Sequence, residues 1–506
     1  MKIFYNFKNI NFIFIISFLI LFSIFILSNQ VHGLGYKLYL TGVFFTILLP
    51  FYYYLKSPTE KNIFPIICIL LAYYFLTYFF YFYLDLFFFP DEGQDSFYSY
   101  QNIIINDEIY KIESSDLDKS IKILFYGLFS LNLGYFLKIF LEKQNKIKNE
   151  YLFLKIKNLS ELLFISISTN IFTIIFFYIL KIHFLIPQLA QVRQPLVYLC
   201  IALCTFSFLN IKGLKKYYFI FPILLFFCLE IFEGSYVFPF MLIFFVYFLY
   251  ISIRKQLLIL PIILILILGT FTQSFKSDYR KVSWSQITVD NQVISNDQTY
   301  LYKLKAFMWL AEKKFNEVKD LKFLMSKDIL GKNNNIKRLF HSADSLILIS
   351  KLTPDVVEYW NGYTYKILST KLVPRILWKN KPSDVISNEA GRRYTVQGPN
   401  DFSTSWNLPV LNEFYANFGL KGVIFGMFLV GFLLRLVSGL NFFKISNNSF
   451  SFVIGSVILF PLTFFEIHLS MLFGALIQTF LFLIIFIICA KFSYTLLEKI
   501  IIKIKN

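Results

Sequence analysis

The chain has 506 residues, 57% of them hydrophobic, 20% aromatic and only 16% charged, with 49 Lys and Arg against 31 Asp and Glu for a net charge of +18. A water-soluble protein of this length cannot hide so much apolar surface, because the buried fraction saturates as domains grow, so the solvent for much of the chain is lipid. Nor does the positive charge indicate a nucleic-acid partner: Lys and Arg are spread through short loops between apolar runs instead of forming one continuous basic face.

A membrane span needs about 20 mostly apolar residues to cross roughly 30 Å of hydrocarbon. Spans are predicted near residues 11–28, 36–55, 63–84, 120–141, 159–180, 195–211, 217–232, 235–252, 257–272, 420–438, 449–467 and 470–490. The first is long for a signal-peptide core and runs into Asn29-Gln30-Val31-His32 instead of a small-residue cleavage site, so it reads as a span. The seventh and eighth, separated by Phe232-Glu233-Gly234, read as a tight helical hairpin. All five cysteines, Cys68, Cys200, Cys204, Cys228 and Cys489, lie inside apolar runs, which leaves no disulfide framework and no zinc site in the polar parts. Cys200 and Cys204, one helical turn apart, read as small packing residues.

Orientation follows from basic residues in the short loops. Lys56 and Lys61, the group Lys143, Lys146, Lys148, Lys155 and Lys157, then Lys212, Lys215 and Lys216, Arg254 and Lys255, and finally Lys499, Lys503 and Lys505 fall on one side. The 85–118 loop on the other side is acidic, with Asp85, Asp91, Glu92, Asp95, Asp107, Glu108, Glu113, Asp116 and Asp118. The expected fold is therefore an all-α polytopic membrane protein of about 12 transmembrane helices, with both termini cytoplasmic. It comprises a bundle over 1–272, a large, mostly helical extracytoplasmic lobe over 273–419 between spans 9 and 10, and C-terminal spans with a basic tail over 420–506.

Inside the lobe, Leu304, Phe307, Met308, Ala311, Phe315 and Val318 recur at helical spacing, which predicts an amphipathic helix over Tyr300 to Asp328 lying across the ends of the bundle. Thr353-Pro354-Asp355 reads as an N-cap and N1 proline opening a second short helix. The histidines His32, His183, His341 and His468 all map to outward loops but lack metal-ligand spacing, so neither a metal nor another cofactor is expected. Glu230, Glu233 and Glu466 lie near outer span ends, where a direct role competes with snorkelling. Arg435 reads as a snorkelling structural residue at the far end of its span. Cations gather in the lobe: Arg280 and Lys281, Lys337 and Arg338, Arg375, Lys379, Lys381, and the pair Arg392-Arg393, among the aromatics Trp360, Tyr363, Tyr365 and Trp378. Guanidinium groups grip phosphate bidentately and do not deprotonate, which suits a lipid phosphate or pyrophosphate, while a plain basic surface facing lipid headgroups is the competing reading.

Four stretches carry a resemblance: Gly362-Tyr363-Thr364-Tyr365, Leu372-Val373-Pro374-Arg375-Ile376-Leu377-Trp378-Lys379-Asn380-Lys381-Pro382, Gly391-Arg392-Arg393-Tyr394, and the run from Asn412-Glu413-Phe414-Tyr415-Ala416-Asn417-Phe418-Gly419 to Met427. They resemble the Wzy-type O-antigen and oligosaccharide repeat-unit polymerases, in which a P-R-x-x-W-x-x-K-P stretch and an E-x-Y-x-N-F-G-x-x-G run follow the large periplasmic loop. The resemblance implies a metal-independent glycosyltransferase of the bacterial inner membrane. Such an enzyme transfers a growing glycan from undecaprenyl pyrophosphate to a fresh lipid-linked unit in polysaccharide or lipopolysaccharide synthesis, and a chain-length regulator is a possible partner. On that basis Arg375 and Glu413 are the candidate catalytic residues, with Glu413 as the base or orienting carboxylate. Arg280, Arg338, Lys381, Arg392 and Arg393 would hold pyrophosphate; Tyr363, Tyr365, Trp378 and Tyr415 would contact sugar or acceptor. The alternative for Glu413 is a carboxylate favouring the dipole of the span that begins near residue 420. Asn417-Phe418-Gly419 is expected to turn the backbone there, with glycine allowing close approach. The His-x-Ser-Asn-Gly sequence of the related O-antigen ligases is absent, His341-Ser342-Ala343-Asp344 being only an echo, and no Arg-x10-Gly repeat occurs. Three competing readings are an O-antigen ligase, a metal-dependent polyprenyl-phosphate-sugar glycosyltransferase using Asp91, Glu92 and Asp95, and a lipid-linked oligosaccharide flippase. The flippase reading lacks the two related halves common in transporters.

Overall fold

The structure is a computed structural model. It describes residues 20–21, 23–27, 33–57, 65–88, 102–105, 108–141, 159–182, 190–211, 213–232, 237–254, 278–279, 287–289, 292–294, 300–318, 340–373, 378, 380–438, 450–463 and 465–505. Among these, helix dominates, and seven helices are long and apolar enough to cross a membrane: Leu34–Tyr54, Ile66–Leu86, Ser114–Leu137, Ser160–Ile179, Val192–Asn210, Val410–Ser438 and Leu469–Lys503. Two shorter apolar helices, Met241–Arg254 and Phe450–Thr463, fall at other expected spans. The architecture is that of an all-α membrane protein. The expected span at 257–272, and most of that at 11–28, lie outside the described residues.

Two short antiparallel hairpins, Asn102–Ile105 with Glu108–Lys111 and Ile287–Val289 with Gln292–Ile294, add the only strands among the described residues. The first lies in the stretch read as an acidic loop, which ends sooner than expected because helix begins at Ser114. Asp116 there is buried and its carboxylate meets Lys351 Nζ at 2.9 Å.

The chain divides into two compact units. The first comprises residues 1–150, 337–444 and 458–478. Its centre is the crossing of the Ser114–Leu141 and Val410–Ser438 helices, made by glycine: a Cβ on Gly134 would come within 2.0 Å of the Phe428 carbonyl oxygen, and one on Gly431 within 2.0 Å of that of Leu131. Lipid gives helices no hydrophobic reason to associate, so close backbone approach at small residues supplies the packing. Arg435, one turn beyond Gly431, does not snorkel as its position near a span end suggested. It is buried, with its guanidinium 5.4 Å from the centre of the Tyr135 ring.

A twelve-residue helix, His341–Leu352, also sits in this core, with Leu346, Ile347, Leu348 and Ile349 fully buried. Its apolar run has no one-sided stripe, the pattern of a helix enclosed on all sides, which is why periodicity misses it. The helix expected to open at Thr353 does not form. Thr353 instead closes this one, its N–H donating to the Ile349 carbonyl at 2.9 Å, while its hydroxyl pairs with Tyr394 at 2.9 Å and so is not used to cap a following turn.

The Val410–Ser438 helix breaks at Gly419, whose φ of 64° and ψ of −154° belong to a region essentially restricted to glycine. The expected span start at 420 coincides with this break, and residues 410–418 form a separate helical piece before it, buried except at Phe418. A Cβ at Gly419 would also stand 2.6 Å from the Tyr359 hydroxyl. Gly419→Ala is therefore expected to cost about 1–3 kcal/mol from backbone strain alone, with the Tyr359 contact adding to it. A thermal melt of the purified variant matching that of the unsubstituted protein would refute this account of the break.

The second unit comprises residues 151–336, 445–457 and 479–506. Ala190–Asn210 packs against Leu159–Thr173, Ile220–Phe232 and Val237–Arg254. Glu230 is buried here with a partner, its Oε1 accepting from Arg193 at 2.7 Å and from the Tyr178 hydroxyl. Cys200 lies 3.3 Å from the Thr173 hydroxyl, in keeping with a packing role. The amphipathic helix spans Tyr300–Val318, and residues 319–328 of the expected element lie outside the described residues. Phe307, Leu310 and Ala311 pack on Tyr279, while Leu304, Met308 and Phe315 of the expected apolar stripe are exposed.

Candidate functional site

The described residues of the motif-bearing segments fall in the first unit, where the stretches around Gly362 and Asn417 bind one another. Gly362, at φ 84°, opens a 3-10 helix over Tyr363–Leu372. The chain before it runs against the 410–418 helical piece: Trp360 N–H donates to the Ala416 carbonyl at 3.0 Å and Asn361 N–H to that of Asn417 at 3.3 Å. The Asn417 side chain completes the join. Its Oδ1 accepts the Gly362 N–H at 2.9 Å, and its Nδ2 donates to the Thr364 hydroxyl at 2.9 Å and the Glu413 carbonyl at 2.8 Å. Tyr365 stacks on Phe418 with 6.2 Å between ring centres. Buried amide groups fully used in this way fix one geometry, since each bond left unmade carries a desolvation penalty.

Glu413 has no exposed surface. Its Oε2 accepts the Leu469 N–H at 2.7 Å, so it neutralises one orphan donor at the start of the Leu469–Lys505 helix, not at its own span. Among the described residues its Oε1 has no hydrogen-bond partner.

Beside it, Asp384 gathers donors from three parts of the chain. Oδ1 accepts from His468 Nε2 at 3.0 Å; Oδ2 accepts from Lys371 Nζ at 2.7 Å and from the Ser470 hydroxyl at 2.6 Å. Burial raises the carboxyl's proton affinity, but the His468 bond and charge, with Lys371 and Ser470, outweigh it and hold Asp384 well below the usual carboxylate range. The carboxylate only accepts, so His468 Nε2 carries a proton; Nδ1 meets the Ser387 hydroxyl at 3.1 Å.

Of the expected phosphate-gripping cations, Arg280, Arg338 and Arg375 lie outside the described residues. Lys381 is buried and donates to the Val373 carbonyl at 2.7 Å. Arg392 donates to Asn388 Oδ1 and the Asp401 carbonyl and stacks 4.3 Å over Phe402, a ring 73% exposed. Arg393 donates to the Glu358 carbonyl at 2.7 Å and lies 5.1 Å over Trp360, whose ring centre is 5.5 Å from that of Tyr363. Tyr363 is exposed, carries Lys366 over its face at 5.5 Å, and has its hydroxyl pushed up by the Glu389 charge and, less, by burial. Tyr363 and Lys366 are thus exposed, beside a half-buried Arg393 that covers the buried Trp360. Trp378 is also exposed, whereas Tyr365 is partly buried in the motif join and Tyr415 is buried.

A second polar group gathers around Asn407. His341 Nε2 bonds its carbonyl at 3.1 Å, and its side-chain amide donates to Glu466 Oε1 at 3.2 Å. Burial lowers the His341 pKa, opposed by the carbonyl bond and the Glu466 charge. Ser342 bonds the Tyr73 hydroxyl at 2.7 Å, and Asn412 ties Tyr78, Ser342 and Ser345 together at 2.8–3.0 Å.

No family model, curated protein or solved structure matches the chain. The chemistry therefore rests on the geometry: a partly exposed cation–aromatic cluster, the Asp384 carboxylate hub, and a histidine–carboxylate pair on one asparagine. Among the described residues, no three His, Cys, Asp or Glu side chains converge as metal ligands do. The acidic group Asp91, Glu92 and Asp95, and the residues Glu233, His32 and His183, lie outside the described residues. Sequence reasoning passed over Asp384 and weighed His468, His341 and Glu466 only singly. Asp384 and His468 are 84 positions apart and share no spacing signal; only proximity to the Lys381-Pro382 motif could have drawn attention to Asp384.

Proposed function

We propose that the protein is a membrane glycosyltransferase that polymerises undecaprenyl-pyrophosphate-linked oligosaccharide repeat units. The observation that carries this reading is the join between two of the stretches that carry the resemblance. The Gly362–Tyr365 stretch and the Asn412–Gly419 run, both part of the resemblance to Wzy-type polymerases, are stitched together by Asn417. An incidental match of two short stretches has no reason to make them one another's hydrogen-bond partners.

Their union supports the patch where Tyr363 and Lys366 are exposed and the half-buried Arg393 lies over the buried Trp360. Aromatic faces suit sugar rings, and fixed guanidinium groups suit a diphosphate whose negative charge grows as it leaves. In this reading the 273–419 segment faces the periplasm, both termini are cytoplasmic, and Arg375, Arg392 and Arg393 stabilise the departing undecaprenyl pyrophosphate without a metal.

The test is purified protein in lipid vesicles supplied with undecaprenyl-pyrophosphate-linked oligosaccharide. Polymer should appear with one undecaprenyl pyrophosphate released per bond, unaffected by chelators. Arg375→Ala and Arg393→Ala should each lower the rate by about 10²–10³-fold, the usual loss for one transition-state donor. Substrate left unpolymerised by the wild-type protein would end the polymerase reading. Consumption only when a lipid A core acceptor is added would turn it into a ligase.

A further inference from the structure

The motif residues leave the acceptor hydroxyl without an accessible base, because Glu413 is fully buried and already caps a helix. The geometry points to His341 as the general base of the transfer, with Glu466 positioning it; this rests on the glycosyltransferase reading above.

A carbonyl oxygen can only accept, so the 3.1 Å contact from His341 Nε2 to that of Asn407 places the proton on Nε2 and leaves the lone pair on Nδ1. Among the described residues Nδ1 has no hydrogen-bond partner. The ring is held by Trp406, edge to face at 5.7 Å between centres, and so presents Nδ1 in one orientation. Glu466 is fixed by the same residue through the Asn407 amide, and among the described residues its second oxygen is unpartnered. Both side chains are half-buried, unlike the enclosed Glu413 and His468. A base must be neutral before the reaction and cationic after it. Burial supplies the first condition and the nearby Glu466 carboxylate the second. Among the described residues, the Tyr73 and Tyr78 hydroxyls also lie near Glu466, but Tyr73 is bonded to Ser342 and Tyr78 to Asn412.

In the step itself, the acceptor oxygen forms a bond to the anomeric carbon as its proton passes to His341 Nδ1. The bond from that carbon to the diphosphate oxygen breaks and its electron pair leaves with the diphosphate. The imidazolium, stabilised by Glu466, then returns its proton to water.

His341→Gln separates base from scaffold, because the glutamine amide can still donate to the Asn407 carbonyl. In the vesicle assay it should lower kcat by about 10²–10⁴-fold while the KM for lipid-linked oligosaccharide changes little. Glu466→Gln keeps an acceptor for Asn407 but removes the charge that favours imidazolium. The acidic limb of its kcat/KM profile should move to lower pH by about one unit, which a purely structural role would not produce. Wild-type turnover by His341→Gln, or an unmoved acidic limb in Glu466→Gln, overturns the assignment while the wild-type protein still makes polymer. Absence of polymer from the wild-type protein would instead remove the reading on which the assignment stands.

Discussion

Gly431→Ala and Gly134→Ala are each expected to destabilise the protein severely, and leucine at either position to prevent its accumulation. The reason is where the new methyl would go. At both sites it would meet a carbonyl oxygen of the opposing helix at 2.0 Å, and at Gly431 also the Tyr135 nitrogen at 3.0 Å. Those atoms are backbone, so no side-chain rotation relieves the contact and the helices must move apart. Overpacking a well-filled core costs about 1–3 kcal/mol and sometimes more, and a backbone clash belongs at or above the top of that range. Separation would also pull Arg435 from the Tyr135 ring and leave that charge poorly compensated at depth. The two substitutions force the same movement, so together they should cost less than the sum of their separate effects. Unfolding of the purified protein in detergent measures this. Melting of both alanine variants at the unsubstituted temperature would show that the helices do not cross at these glycines.

Much of the helical framework was legible in the sequence because hydropathy and length are local properties: Leu34–Tyr54, Ile66–Leu86 and Ser160–Ile179 stand within a few residues of the apolar runs that predicted them. Gly419 was legible for the same reason, since only glycine adopts its backbone angles without strain. What local pattern could not give was pairing. The alternative reading of Glu413 gave its carboxylate to the span beginning near residue 420, yet it caps a helix that starts 56 positions later. Arg435 was expected to reach for water because it lies near a span end, but a glycine one turn away lets the neighbouring helix approach and bury it. The His341–Leu352 helix was hidden because it is buried almost all round, with Ser342, Asp344, Ser345 and Ser350 enclosed alongside its leucines and isoleucines. In each case the missing information is which element stands opposite, and that is fixed by packing rather than by periodicity.

Asp384→Asn is the second large effect expected, and it concerns the hub that joins Lys371, His468 and Ser470. Asp384 is the acceptor for Lys371, His468 and Ser470 at once, and the Asp384 and Lys371 side chains retain 9% and 14% of their exposure. Asparagine fits the space but carries no charge and offers one acceptor where two oxygens served. Removing one partner of a buried ion pair costs about 3–5 kcal/mol because the other charge is stranded; the residual exposure of Lys371 places this loss near 3 kcal/mol. Adding Lys371→Met should recover part of it, since removing both charges is much milder than removing one. The sign of the pH dependence follows from the depressed folded-state pKa of Asp384. Its contribution to stability is fully present above the ordinary carboxylate value, about 3.9, and fades only as the pH falls through the lower folded value. The unsubstituted protein should therefore keep this contribution from neutral pH down to about 4, and the stability gap to Asp384→Asn should narrow below that. A gap that is unchanged down to pH 3, or no stabilisation from Lys371→Met in the variant, would mean that the carboxylate does not hold the three donors together as an ionised hub.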